Sequence, residues 1–490
     1  MIATTLPSPG VIAAAALGAL VVIAGLVLLM RRRPEAFPVL AMLALPFRLP
    51  ISADGRTVNL LLPLYAVVAA GTLAHLVPRV LPHSGTPHGG GHPKGHTQRA
   101  HGKHPKGHRQ AGGGHGAYRS TRPPMLLDWL LLATVVLYGV QTGYSADLSK
   151  GAQNLVFFYV PFGLLYVLLR EAPWTPRLVL VCLGVAVGLA VLFAGVGFVE
   201  YHRKMLFLNP KVVVANEYDN YFRVNSLFFD PSIYGRFLAL VMIAVTTAVL
   251  WSRNRRVELI GAGVLAWLMV GLVTSFSQSS IAALLLGLAV LAAWRWDVRG
   301  TAYVSVGLAG IAAIAVLAAP ASLHFGLKGS GGSASNATSG RTKLISGGLK
   351  LFAQRPLAGY GSGSFETEYK RRGRNTTAAN ATSASHTIPV TVAAEQGIVG
   401  LALYVALLVV AFLTLFSGAG RSPPRIAIAA CFAALVLHTW VYADFLEDPV
   451  TWTLLGIGVA LGAMREGVFV GDEIRSSSEG PPVSPVASQG

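Results

Sequence analysis

Four short stretches carry residue types able to hold an anion or move a proton. Arg223 opens Arg223-Val224-Asn225-Ser226, and Asp230-Pro231 follows. Asp then Pro reads as a helix N-cap and first helical residue, so Asp230 reads as structural. Arg223 sits just before that helix, where its guanidinium could reach lipid headgroups or grip a phosphate. Farther on, Ser339-Gly340-Arg341-Thr342 begins an amphipathic helix in which Leu344, Ile345, Leu351 and Phe352 recur at helical spacing, with Arg341, Lys343 and Lys350 among them. A turn with Gly359, Gly361 and Gly363 comes next, whose backbone N–H groups could face an anion. Last come His386 and Glu395, nine residues apart. On one regular helix that spacing puts them on roughly opposite faces, so spacing alone does not make them a dyad.

The elements that must position these residues are membrane spans. Of 490 residues, 53% are hydrophobic and only 12% charged, which excludes an ordinary soluble protein of several polar-surfaced domains. Apolar runs recur at about the length that crosses ~30 Å of hydrocarbon, and a backbone there must satisfy its own hydrogen bonds, so each run predicts a helix. The spans fall at 11–30, 36–50, 57–78, 125–144, 151–170, 177–199, 231–251, 257–274, 279–294, 301–320, 397–416, 426–445 and 449–464. The piece 36–50 is short, contains prolines and could be re-entrant or interfacial. The first run ends in Arg31-Arg32-Arg33 without a basic segment before it, which reads as an uncleaved span. Cys182 and Cys431 lie inside apolar runs and read as packing residues rather than a disulfide. The expected fold class is all-α, a polytopic bundle of about 12–13 spans with a large extracytoplasmic loop carrying short helices.

Short basic loops stay cytoplasmic. Placing Arg31 to Arg33 inside puts the basic turns at 253–256, 295–299 and 421–425 inside as well. Two long segments, 200–230 and 321–396, then face outward. The second is basic, with Lys328, Arg341, Lys343, Lys350, Arg355, Lys370, Arg371, Arg372 and Arg374 against Glu366, Glu368 and Glu395. Such a surface suits either anionic headgroups or a phosphorylated lipid. The segment 79–124 holds eight of the 13 histidines, eight Lys or Arg and no acid, so it cannot bury a core and is expected to be a disordered cytoplasmic linker. Its His-Pro-Lys-Gly-His repeats would make only a loose metal site. The expected organisation is 1–78 N-terminal spans, 79–124 linker, 125–320 transmembrane core, 321–396 outer loop, 397–466 C-terminal spans and 467–490 disordered tail.

In this order the motifs resemble the O-antigen ligase and polymerase superfamily of bacterial envelope glycan enzymes, over roughly residues 220–410. Arg223 and Pro231 match the family's outward Arg before a proline-started helix. Thr274 to Ser279 matches a Thr-x-Ser-Arg-like turn. Gly340, Arg341 and Pro356 to Gly361 match a Gly-Arg pair followed by Pro-Leu-x-Gly-x-Gly. His386, Glu395, Gly397 and Gly400 match a His followed by Glu-x-Gly-x-x-Gly. Gln278 stands where many relatives carry Arg, and Ser232 where many carry Asn.

The resemblance implies a metal-independent, inverting glycosyltransferase with no cofactor. It would move a glycan from a polyprenyl diphosphate carrier to an acceptor hydroxyl on a glycan, lipid or protein, at the outer face of the cytoplasmic membrane. Arg223 and Arg341 would stabilise the departing diphosphate and His386 would take the proton from the attacking hydroxyl. Lys343, Gly359, Gly361 and Glu395 would bind substrate. No Asp-x-Asp pair occurs in an outward loop. A polymerase of lipid-linked repeat units would use the same residues. A flippase or other transporter is the rival from another class. No clear internal repeat is visible, and the charges gather in loops rather than at span centres.

Overall fold

The computed structural model describes residues 9–53, 56–80, 125–207, 222–296, 333–372 and 387–464, and over these the chain is a helical bundle. Among the described residues, eight helices are long and apolar enough to cross a membrane. They are α3 (Leu62–Arg79), α5 (Leu148–Glu171), α6 (Pro176–Arg203), α7 (Pro231–Trp251), α8 (Arg255–Thr274), α9 (Gln278–Arg295), α12 (Ile388–Phe416) and α13 (Pro423–Val441). Beside them stand α1 (Pro9–Arg32) and the shorter apolar α4 (Leu126–Thr142) and α14 (Pro449–Gly462). Two helices outside the apolar set, α10 (Ser333–Gln354) and α11 (Phe365–Arg372), flank the glycine turn. The expected span 301–320, the linker 81–124 and the tail beyond 464 lie outside the described residues.

The stretch 36–50 is helical over only part of its length. Its helix α2 (Ala36–Ala44) has nine residues, about 14 Å of rise against ~30 Å of hydrocarbon. Pro46 and Pro50 follow, and the chain turns into an antiparallel hairpin, β1 (Leu49–Ala53) on β2 (Arg56–Leu60), before α3 begins. Proline inside a helix leaves a carbonyl unpaired and presses its ring on the residue four back. Pro78 and Pro161 both meet this in the same way. Each is preceded by one π turn, Thr72–Leu76 and Leu155–Tyr159, that contains the residue four back.

Burial sorts the helices. In α14, α13 and α7 most positions are buried, which fits helices apolar all round. α6, α8 and α12 keep one apolar face exposed, as at Leu180, Ile260 and Leu413, the arrangement expected against lipid. α9 packs on α13, α14 on α5, α7 on α8, α9 and α13, and α12 on α4 and α10. Cys182 and Cys431 are buried free thiols, and the Cys431 S–H donates to the Leu240 carbonyl at 3.4 Å.

α12 carries the feature that shapes one end of the bundle. Gly397 has φ +66° and ψ −162°, so the helix breaks there. The break exposes carbonyls on one side and an amide on the other, and the turn 356–364 supplies their partners. Tyr360 N–H donates to the Ala394 carbonyl (3.3 Å), Gly361 N–H to the Glu395 carbonyl (2.8 Å) and Ile398 N–H to the Pro356 carbonyl (2.7 Å). Gln141 of α4 donates from Nε2 to the Gln396 carbonyl at 3.2 Å. The approach needs glycine on both sides. A Cβ on Gly359 would stand 2.2 Å from the Glu395 carbonyl oxygen, one on Gly361 2.3 Å from Ser145 Cα, and one on Gly397 2.3 Å from the Leu357 oxygen. All three also have positive φ.

At the opposite end, four charges join the two sides of the 81–124 segment. Arg79, at the end of α3, lies 3.6 Å from Glu171. Arg170 lies 3.2 Å from both Glu171 and Asp128, and Asp128 caps the start of α4. The histidine-rich stretch therefore leaves and rejoins the bundle at one ion network on α5.

Two outcomes follow from these contacts. Gly361→Ala should lower thermal stability in detergent by roughly 2 kcal/mol or more, since it meets backbone rather than a movable side chain and sits at positive φ. Deleting 85–116 should leave the melting temperature and membrane level near those of the full chain, because both anchors stay in place.

Candidate functional site

The same end of the bundle gathers the polar groups. The strap 222–230 enters it before α7 and is tied down at each step. Arg223, half-buried, donates from Nε to the Ser275 carbonyl at 3.2 Å, and Val224 N–H to the Thr274 carbonyl at 3.2 Å. Ser226 N–H donates to Glu200 Oε2 at 2.7 Å, and the Ser226 hydroxyl to the Phe193 carbonyl at 2.8 Å. Asp230 accepts from Ser232 N–H at 2.6 Å and caps α7, the structural role read from Asp-Pro. Non-glycine residues at positive φ stand in this strap (Ser226), in the α8–α9 turn (Phe276) and in the α13–α14 loop (Asp444). Such backbone costs ~1–3 kcal/mol each and is kept only where surrounding contacts hold it.

The Thr274 to Ser279 turn is fixed from the bundle interior. Ser277 caps α9, and its hydroxyl lies 2.7 Å from that of Ser280. His438 of α13, fully buried, reaches Ser279 Oγ (3.2 Å) and Ser280 Oγ (3.3 Å) through Nε2. The Ser280 hydroxyl donates to the Ser232 carbonyl at 3.1 Å, so the proton between Ser280 and His438 sits on Nε2. The turn that holds Arg223 is thus itself held by α7 and α13.

α10 carries Arg341 and Lys343 in its middle turns and buries Leu344 and Leu351, as the amphipathic pattern predicts. Only the backbone positions of Arg341 and Lys343 are described, and His386 lies outside the described residues, directly before Thr387, the N-cap of α12. The glycine turn departs from its expected use. Gly359 N–H donates to the Arg355 carbonyl, Gly361 N–H to the Glu395 carbonyl, and Gly363 N–H to Glu395 Oε2 at 2.8 Å. These amides are spent on closing the turn over the helix break, so they are not a cradle for an anion. Glu395 has the same occupation. It is buried, and its other oxygen accepts Phe365 N–H at 3.0 Å, so its carboxylate stitches the turn to α12.

A charged cluster beside these elements escaped the sequence reading. The loop 442–448 brings Asp444, Glu447 and Asp448 against Arg48, Lys150, Asn154 and Arg236. Asn154 Nδ2 donates to Glu447 Oε1 and to the Tyr138 hydroxyl, both at 2.9 Å. Arg48, Arg236 and Asp448 line one small cavity with Leu45, Phe228 and Phe237. Burial raises the Glu447 carboxyl to about 7; the Asp444 charge adds to this, and Lys150 and Arg48 oppose it. Burial likewise raises Asp444, against Arg48 and Arg236. The Glu447 carboxyl can therefore take up a proton close to neutral pH.

Arg236 is a buried charge near the start of a span. It lies in the second turn of α7, 2% exposed, and pairs with Asp448, also 2% exposed. The signal was legible: an arginine within Pro231-Ser232-Ile233-Tyr234-Gly235-Arg236-Phe237-Leu238 needs a buried partner. A second Asp-Pro, Asp448-Pro449, repeats the cap of α7 at α14, where Asp448 accepts Val450 N–H at 2.8 Å. Asn can keep that cap but not the charge. Asp448→Asn should therefore cost ~3–5 kcal/mol, the usual effect of stranding one member of a buried pair. The double variant Arg236→Gln with Asp448→Asn should lose less than the sum of the two single losses, read by thermal unfolding of the purified protein.

Comparison with known proteins bears on residues 262–405, which match the family model described as O-antigen ligase. The matched segment runs from α8 through the Ser275 turn, α9, α10, the glycine turn and Glu395 into α12, and leaves Arg223 outside. No curated protein matches the chain. The match agrees with what the ordered motifs implied: over residues 262–405 this chain of multiple apolar helices is similar to the O-antigen ligase family.

Proposed function

We propose that the protein is a membrane glycosyltransferase of the O-antigen ligase kind. It transfers a glycan from a polyprenyl diphosphate carrier to an acceptor hydroxyl, at the outer face of the cytoplasmic membrane. The observation that carries this reading is the Arg223–Ser275 hydrogen bond. It fastens an arginine from outside the matched segment onto a turn within it. The turn 356–364, interlocked with the break in α12, supports the reading that the 321–396 segment supplies most of the catalytic loop.

In this reading Arg223 and Arg341 neutralise the diphosphate as the sugar–phosphate bond breaks. A guanidinium suits the task because its planar fork binds two phosphate oxygens and never loses its charge. His386 takes the proton of the acceptor hydroxyl, which attacks the anomeric carbon opposite the leaving diphosphate, so the new linkage is inverted. Lys343 adds charge on the same helix as Arg341. Gly359, Gly361 and Glu395 serve substrate binding indirectly, by setting the turn that carries the loop.

The test is transfer by purified protein in vesicles supplied with polyprenyl diphosphate-linked glycan and acceptor. Arg223→Lys and Arg341→Lys should each lose most of the rate, because lysine keeps charge but not the fork. His386→Ala should fall ~10²–10⁴-fold with donor binding near normal. EDTA should leave the rate unchanged. Near wild-type transfer by His386→Ala would remove it as the base. In cells lacking the protein, full-length lipid-linked chains are expected to accumulate; single repeat units would instead identify a polymerase.

A further inference from the structure

Tyr360 sits where the glycine turn meets the start of the apolar half of α12, and two arginines close on its ring. The Arg355 guanidinium lies 4.5 Å from the ring centroid and that of Arg372 4.6 Å. Arg372 also donates to the Tyr360 hydroxyl, and Gln354 Oε1 accepts from that hydroxyl at 3.3 Å. Lys350 is one helical turn before Gln354 and exposed on the same face of α10. One carboxylate answers these charges: Glu368, mostly buried, lies 3.6 Å from Arg371 and 3.5 Å from Arg372. Lys370 is neutralised separately by Glu366 at 2.5 Å. Among the described residues, Arg355 and Lys350 have no carboxylate within ion-pair distance. Cations gathered around one ring repel one another unless an anion joins them.

The depth of the cluster says what kind of anion. Pro356 is bonded through its carbonyl to Ile398 N–H, so Leu357 stands beside Ile398 and Val399, the first outward apolar residues of the span. Leu357 is 73% exposed, Val399 54% and Ile398 45%. Exposed leucine and valine next to stacked arginines make a surface whose lower part is apolar and whose upper part is cationic. That is the profile of the zone between acyl chains and headgroups. Aromatic stacking holds both guanidinium groups in place, which reduces the side-chain entropy lost on binding.

We propose that Arg355, Arg372 and Tyr360, with Lys350 above and Leu357 below, form a binding site for the phosphate of an anionic bilayer phospholipid. The site pins the 321–396 segment to the membrane surface. It uses none of the residues assigned to transfer, so it stands or falls separately from the proposed reaction.

The two native cysteines are buried, so a thiol introduced at 357 can be labelled alone. Full-length Leu357→Cys carrying a fluorophore is placed in mixed micelles with brominated phosphatidylglycerol or brominated phosphatidylcholine. Quenching by the phosphatidylglycerol should be stronger by about five-fold for each arginine that engages a phosphate. With Arg355→Gln and Arg372→Gln added, the two lipids should quench alike, and Arg355→Gln alone should fall between. Unchanged melting temperatures of these exposed-site variants keep the comparison valid. If unsubstituted arginines give equal quenching by both lipids, or if the selectivity survives the double substitution, the site does not exist. If millimolar inorganic phosphate abolishes the preference, the site takes a soluble anion and the lipid assignment is wrong.

Discussion

A helix broken inside or at the edge of a membrane leaves backbone groups that water cannot reach, and every such group needs a partner. The break at Gly397 is the point on which the functional end of this protein depends. Three carbonyls of the first half-helix and one amide of the second find donors and acceptors in the turn 356–364 and in Gln141. The turn, in exchange, could not hold its own shape without α12, since the N–H groups of Gly361, Gly363 and Phe365 end on Glu395. Two irregular segments far apart in sequence thus complete one another, and α10 and α11 are placed by the result.

The opposite side of the same end is held by charge. Arg236 and Asp448 pair inside the bundle, where an uncompensated ion would cost several kcal/mol. Asp448 also caps α14, so one residue fixes a helix start, balances a buried arginine and sets the loop carrying Asp444 and Glu447. The serine turn at 275–280 joins this frame through His438 and Ser232, and Arg223 is fastened to that turn. A residue proposed to meet substrate is therefore positioned by contacts running through three spans. The positive-φ backbone at Ser226, Phe276 and Asp444 clusters at this end, as expected where geometry is kept at a cost for function.

The spans were legible because the bilayer sets one length and forbids unpaired backbone, so apolar runs such as 231–251 translate directly into helices. Asp230-Pro231 was legible for a local reason, since a cap needs only its own three residues. Over 36–50 the apolar content is ample, yet Pro46 and Pro50 end the helix after nine residues. The glycine turn is a different case. Its composition announced exposed amides, and only the neighbouring α12 consumes them.

By itself the sequence determined that the chain is a bundle of apolar helices, that Asp230-Pro231 starts one of them, and the ordered set of Arg, Gly, His and Glu motifs that resembles one family. These depend on hydrophobicity, proline geometry and capping, which act over a few residues. Only the tertiary structure decided that Glu395 is a stitch, that Arg236 is neutralised 212 positions away, and that the Ser275 turn receives Arg223. Those outcomes rest on hydrogen bonds and ion pairs between distant segments, whose partners are chosen by helix packing and not by anything adjacent in the chain.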